Sequence, residues 1–319
     1  MDSPAKASRA AIWAGLIAIY IVWGSTYLAI LFVVETMPPF LAAGFRFLIA
    51  GAVLYAFCRL RGDQAPLRVE WRSAAIVGLF LLVGGNGSVM WAEQRVASGI
   101  AALLIASVPF WMALLDSVRP GGQRPNGWVI IGILAGFAGI LVLIGPTQLL
   151  GITGEVDLLG VFVLLLAAFL WAVGSLYNRG AKLPGSPLLG TGMEMLIGSL
   201  GLLLLGTVTG EWAHLDLTAV STRSWLGFAY LVVFGSWVGF ASYIWLLRVA
   251  PIMLVSTYAY VNPFVAILLG SLLAGEELTT RILLAAIFIL GSVILITMKQ
   301  SAAGKPESIH STPPAAGND

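Results

Sequence analysis

The chain has 319 residues, of which 59% are hydrophobic and only 10% charged, far from the roughly 45–50% apolar and about 25% charged residues of soluble domains. That balance reads as an integral membrane protein, and a net charge of +2 gives no basis for nucleic-acid binding. One cysteine, Cys58, and two histidines exclude an internal disulfide framework and a Cys/His metal cluster, so neither metal nor other cofactor is expected.

Residues 1–10 form a short N-terminus with Lys6 and Arg9. The apolar run that follows lasts about 24 residues, too long for a signal-peptide core and long enough to cross a bilayer. It is the first transmembrane helix, 11–34, and it carries the polar interruption Trp23-Gly24-Ser25-Thr26-Tyr27. Apolar windows of bilayer length then place helices at 39–58, 73–93, 97–118, 127–146, 157–178, 189–209, 225–247, 250–273 and 281–298, ten in all. The third and fourth, and the eighth and ninth, are joined at Gln94–Ala97 and at Arg248 by connections short enough to demand tight hairpins. From residue 299 to 319 the chain turns small, polar and proline-bearing, a disordered cytoplasmic tail.

With this register, Lys6, Arg9, Arg59, Arg61, Arg68, Arg72, Arg119, Arg124, Arg179, Lys182, Arg248, Lys299 and Lys305 fall on one face, against Arg95, Arg223 and Arg281 on the other. The bias puts both termini in the cytoplasm. Glu35, Glu93, Glu155, Asp157, Glu211, Asp216, Glu276 and Glu277 collect on the opposite side.

The polar motif of the first helix returns in the sixth: Trp171 and Gly174-Ser175-Leu176-Tyr177 echo Trp23 to Tyr27. "FRFLIAG" at 45–51 is echoed by "MEMLIGS" at 193–199, Val96-Ala97 by Val249-Ala250, Pro109-Phe110 by Pro263-Phe264, and "GILVLI" at 139–144 by "GSVILI" at 291–296, all at offsets between 148 and 154. This is an internal duplication. An odd number of helices per copy makes 11–146 and 157–298 inverted-topology repeats, the arrangement of alternating-access transporters.

Pro109 and Pro263 fall at matched depths in the fourth and ninth helices, each freeing the carbonyl four residues earlier, Ile105 and Ala259. Such groups are met either by neighbouring serines or by a cavity; Tyr258, Tyr260 and Asn262 surround the second proline. Arg46 and Glu194 occupy equivalent positions in the second and seventh helices and are costly in lipid, so each faces a partner or a wet cavity. Their opposite signs permit a salt bridge or a substrate or proton site, with Glu194 the proton-carrier candidate because arginine does not deprotonate. In the third helix, Asn86 needs a hydrogen-bond partner, while Glu93 reads as its solvated end. Asp116 reads as interfacial. Trp13, Trp71, Trp128, Trp212 and Trp225 read as interface anchors; Trp23, Trp91, Trp171, Trp237, Tyr27, Tyr177 and Tyr243 lie deeper and suit an aromatic-walled pocket. Gly132, Gly136 and Gly139, facing Gly291, read as a helix-packing surface.

The segments "WGSTY" at 23–27, "PPFLAAGFRFLIAG" at 38–51, "GNGSVMWAEQRVASGIAALLIASVP" at 85–109, "FLWAVGSLYNRG" at 169–180 and "AYVNPFVAILLGSLLAGEEL" at 259–278 resemble the EamA family of the drug/metabolite transporter superfamily, most of all its YedA-type inner-membrane members. The resemblance spans nearly all of 11–298. It implies a basket-like fold with a central cavity and export of metabolites such as amino acids, or of drug-like compounds. Carried over, it makes Ser25, Thr26, Tyr27, Asn86, Trp91, Ser175, Tyr177, Tyr258, Tyr260 and Asn262 the substrate-binding candidates. The polar tail lies outside the shared pattern. The chain lacks a P-loop, so gradient energy would come from ions, with protons the candidate coupling partner. The expected partners are a small organic solute and the bilayer; oligomeric state is not legible. An intramembrane lipid-modifying enzyme would need a nucleophile, acid and base in one cluster, and a non-transporting sensor a soluble output domain; neither feature is found.

Overall fold

A computed structural model describes residues 8–119, 125–145, 157–250, 255 and 257–303. Among them there is no strand. The helices are α1 (Arg9–Val34), α2 (Pro39–Leu60), α3 (Arg68–Ala92), α4 (Ser98–Val118), α5 (Gly127–Ile144), α6 (Leu158–Asn178), α7 (Pro187–Val208), α8 (Thr222–Val249), α9 (Tyr258–Ala274) and α10 (Thr280–Ala303). A 3₁₀ turn, Glu211–His214, follows α7. Eight stretches, α1 to α7 and Thr222–Tyr243 of α8, are long and apolar enough to cross a membrane, while α9 and Thr280–Ile296 of α10 are shorter apolar helices. Lys6, Arg124, Glu155, Lys305, residues 146–156 and the tail from 304 lie outside the described residues. So does most of the junction after α8, at 251–254 and 256. Helix α10 continues through Ala303, into the segment expected to be tail.

Local chemistry explains where the helices begin and end. Proline opens α2 and α7, where a missing N–H costs nothing. Asn126, Asp157 and Ser221 cap α5, α6 and α8 by accepting from Val129, Gly160 and Ser224 N–H groups. Gly145 and Gly275, at φ 83° and 70°, end α5 and α9 in a conformation that disfavours a side chain.

The packing partners exchange between the halves. Helix α1 lies on α8 and α9, and α6 lies on α3 and α4; α2 runs along α7, and α5 along α10. Two close crossings depend on glycine. A Cβ on Gly24 would stand 2.5 Å from Cβ of Val265 in α9, and one on Gly174 would stand 2.7 Å from Cβ of Phe80 in α3. On α5, Gly132, Gly136 and Gly139 receive Ile296, Phe110 and Ile289. Gly291 does not face them and looks into open space: a glycine groove is filled by a neighbour's side-chain ridge, not by a second groove.

Helices α3 and α8 each contain a π-helical stretch, Leu79–Gly87 and Leu231–Val238. Their first residues are separated by a spacing within the range of the sequence repeats. Around the two prolines the halves diverge. Helix α4 is interrupted at Ala106 and Ser107, so that Pro109 sits in the first turn of its second segment, Val108–Val118. The Ser107 hydroxyl donates to Leu104 O at 2.6 Å, and Phe110 N–H to Ser107 O at 2.9 Å. Serine therefore serves the break. Helix α9 instead runs unbroken through Pro263.

The interior is apolar, with Phe47, Phe110, Met90, Leu103 and Leu104 fully buried. Its outer surface is apolar too: Leu134, Phe162, Leu204, Phe264 and Leu272 are exposed, as are Trp13, Trp128, Trp212 and Trp225. Contiguous exposure of this kind suits lipid and not water.

Candidate functional site

The polar motif of α1 faces the second half of the chain. The Trp23 ring lies 5.2 Å from Tyr243 and from Tyr258, and 5.5 Å from Phe240; its Nε1–H donates to Gly235 O at 3.3 Å. Gly239 admits the indole, since a Cβ there would lie 2.2 Å from Nε1. The Ser25 hydroxyl donates to Ile21 O at 2.6 Å and is 2.6 Å from the Tyr230 hydroxyl, which ties α1 to α8. Thr26 donates to Trp23 O within its own helix. Tyr27 is half-buried against the core, and Tyr20 bonds Thr257.

Arg46 completes this cluster from α2. It is 4% exposed, its Nε–H donates to Ser236 Oγ at 3.2 Å, and its guanidinium carbon lies 4.7 Å from the Phe47 ring centre. Nη1 has no acceptor. Gly235 makes the space: a Cβ there would be 3.0 Å from Nη2 and 3.2 Å from Thr26 Cγ2. Asn262 of α9, 8% exposed, has an Oδ1 without a donor, and its backbone oxygen lies 3.1 Å from the position of a Cβ on Gly24. Thus Trp23, Thr26, Arg46, Ser236, Tyr258 and Asn262 belong to one network of contacts where α1, α2, α8 and α9 meet.

The other candidates fall elsewhere. Arg46 and Glu194 form no ion pair; Glu194 accepts from Asn178 Nδ2 at 3.5 Å, and the ion pairs found, Arg95–Asp157, Arg119–Asp116 and Arg223–Glu35, involve neither. Each lies about two helical turns in from the start of its own helix, α2 or α7, and these starts are at opposite ends of the bundle. Asn86 donates to Leu81 O inside the α3 π stretch at 3.4 Å. Trp91 stacks under Arg95 at 4.7 Å. Ser175 is half-buried, Tyr177 is 39% exposed, and Tyr260 is half-buried. Asp116, paired with Arg119 at 3.0 Å, is partly exposed as an interfacial residue should be.

Two features escaped sequence reasoning. Glu93 is not a solvated helix end: it is 2% exposed with neither carboxylate oxygen partnered. Beside it, the end of the bundle where α1, α3, α7 and α9 finish is tied across the halves by polar bonds. Glu211 accepts from Phe40 and Leu41 N–H at 3.2 and 2.8 Å, capping α2; Glu276 accepts from Ser98 and Gly99 N–H at 2.6 and 3.1 Å, capping α4. Arg95 pairs with Asp157, and Arg223 with Glu35, each at 3.1 Å; Thr36 donates to Ser224 at 2.7 Å. A carboxylate at a helix N-terminus meets unpaired N–H groups and the positive dipole end. Burial raises the Glu211 carboxyl above the usual range, opposed by the Leu41 and Phe40 N–H groups; the Gly160 N–H, with Arg95, lowers that of Asp157. The available signal was positional: Glu211 and Glu276 each follow directly on a glycine at a helix end. At the same end, a cleft of ≈ 580 Å³ is lined by Leu143, Glu277 and Arg281 and by no residue of the α1 motif.

The model of the EamA-like transporter family matches the chain twice, over residues 9–145 and 158–298. The chain belongs to the EamA-like transporter family. It is 39% identical over 289 residues to the uncharacterized inner membrane transporter YedA of Escherichia coli, covering 90% of each chain. It is 27% identical to a WAT1-related chloroplastic protein of Arabidopsis thaliana, covering 90% of this chain and 70% of that one. A solved crystal structure with 23% identity matches at a TM-score of 0.59 over 93% of this chain and all of its own, a likeness of fold. With this membership and its apolar helices, the protein is a multi-pass membrane transporter.

Proposed function

We propose that this EamA-family protein is a secondary transporter of the inner membrane that exports small organic solutes, amino acids or amphipathic drug-like compounds, by alternating access. The observation that carries the reading is the α1, α2, α8 and α9 network. Inside an apolar protein it leaves Arg46 Nη1 and Asn262 Oδ1 without partners, beside a wall formed by Trp23, Tyr243 and Tyr258. A buried polar group without a bond costs roughly 1–3 kcal/mol, a cost that a solute with matching groups removes. Ten spans in two inverted repeats, with both termini cytoplasmic, are part of the proposal. They are supported by the exchange of packing partners, the paired π stretches and the twofold family match. Inner-membrane residence is supported by the likeness to YedA. The polar ties at one end of the bundle act as the closed gate of this conformation. Substrate contacts are assigned to Ser25, Thr26, Tyr27, Tyr258 and Asn262; on the α6 side, Ser175 lines the path in the opposite state.

The test is flux into proteoliposomes of labelled amino acids, nucleobases and organic cations, with and without an imposed pH gradient. Saturable uptake of one class, reduced at least about tenfold by Asn262→Ala at matched protein density, is the expected result. Uptake that follows the gradient assigns protons as the coupling ion and makes Glu194 the first residue to neutralise. Absence of flux for every class overturns the reading.

A further inference from the structure

The cluster around Arg46 is built for an anion. We infer that the guanidinium of Arg46 is the recognition point for a carboxylate group on the transported solute, an inference that rests on the transport reading above. Arg46 lies in the interior, 4% exposed, and among the described residues no carboxylate forms an ion pair with it; the ion pairs found there employ other arginines. Its one hydrogen bond, Nε–H to the hydroxyl of Ser236, holds the fork from one side, and the Ser236 hydroxyl is itself spent on Leu231 O at 3.1 Å. The face of Phe47 supports the planar group at 4.7 Å. Gly235 lets the guanidinium pack close to the α8 backbone, since a side chain there would press on Nη2. The guanidinium is thus oriented by one neutral bond and one ring, with Nη1 unmatched.

A guanidinium held in this way presents parallel N–H donors that fit the two oxygens of a carboxylate, a geometry lysine does not reproduce. Leaving such a charge buried and uncompensated is expensive, whereas an incoming anion compensates it. Position supports the assignment. Ser236 belongs to the π stretch of α8, and such stretches recur at functional sites; Thr26 of the α1 motif meets Gly235 beside it. The aromatic rings of Trp23, Tyr243 and Tyr258 lie on the same helices, α1, α8 and α9, and suit the apolar remainder of the solute. The substrate class that results is an organic acid or amino acid with an apolar body, not an organic cation.

The test measures thermal stabilisation of the full-length protein, purified in detergent, by a panel of carboxylic acids and α-amino acids, each matched with its methyl ester. At least one acid stabilises the protein and its ester binds roughly tenfold or more weakly, the scale of a lost charge-assisted pair. Arg46→Gln erases the preference for the acid, and Arg46→Lys restores part of it. Should Arg46→Gln not fold, Ser236→Ala, which frees Nε while keeping the charge, reduces acid affinity about threefold and leaves ester affinity unchanged. Acids binding no better than esters, no acid binding at all, or unchanged acid preference in the variant that folds would each overturn the inference. Flux of neutral or cationic solutes without acid binding leaves transport standing and removes the anion site. Acid binding without flux of any solute keeps the site and removes the transport reading.

Discussion

The bundle of α1, α8 and α9 and the bundle of α6, α3 and α4 are related by the same duplication and packed by the same pairs, yet their polar chemistry differs. In the first, Asn262 and Arg46, which reaches in from α2, are buried and left with unmatched atoms, and the α1 motif is bonded to α8 through Ser25 and Trp23. In the second, Ser107 closes the helix break at Pro109, Asn86 is satisfied within α3 and Tyr177 is exposed, but the Glu93 carboxylate and the Trp111 indole N–H are buried without partners. The twofold pattern therefore carries unlike unmatched groups on its two sides: a guanidinium and an amide on one, a carboxylate and an indole on the other.

The largest effect that separates the two bundles is on flux. Asn262→Ala lowers transport by about tenfold or more, while Tyr177→Phe on the other bundle changes it less than about twofold, both read in proteoliposomes at matched density. Equal losses in the two variants would break the asymmetry.

Packing provides the next effect. Gly24→Ala drives a methyl into Val265 and costs about 1–3 kcal/mol of stability, the usual cost of overpacking. Gly291→Ala meets open space and is neutral or gains slightly from helix propensity. Thermal unfolding in detergent checks both.

A smaller effect, about 0.5–2 kcal/mol, follows from removing a carboxylate cap. Glu276→Ala uncaps α4 and lowers the midpoint of thermal unfolding. In flux experiments the same variant loosens the closed end, so that access from that side by a membrane-impermeant thiol reagent, directed to a cysteine at Ser98, increases. An unchanged rate would mean that the cap is purely structural.

The smallest effect is one of pH. Because the Gly160 N–H and Arg95 lower the Asp157 carboxyl below its unfolded value of about 3.9, its stabilisation is present above that value and disappears as pH falls through the lowered folded value. Asp157→Asn therefore unfolds at a lower temperature than the parent at pH 7, and the gap closes in acid. The gap is small because the Arg95–Asp157 pair is solvent-exposed.

Much of the architecture was legible from residues alone, because bilayer thickness imposes a length on apolar runs and a duplication leaves paired motifs. The site was legible in part. Trp23 to Tyr27, Tyr258 and Asn262 stand out because polar groups in an oily helix demand an explanation. Glu93 was misread because burial of a helix end depends on which other helices pack around it, which local sequence does not specify. Ser236 was passed over because a lone serine on an apolar helix carries no signal until Arg46 reaches it from α2.

By itself, the sequence determined a helical membrane protein with a doubled pattern, a set of intramembrane polar residues and the start of most helices, though not of α3 or α9, since these follow from local hydropathy, proline and capping chemistry. Only the tertiary structure decided that Arg46 meets Ser236 and not Glu194, that Glu211 and Glu276 cap helices of the other half, and that Gly291 faces no partner. Those are matters of which helices come together and at what depth, and side chains distant along the chain acquire partners only when packing brings their helices into contact.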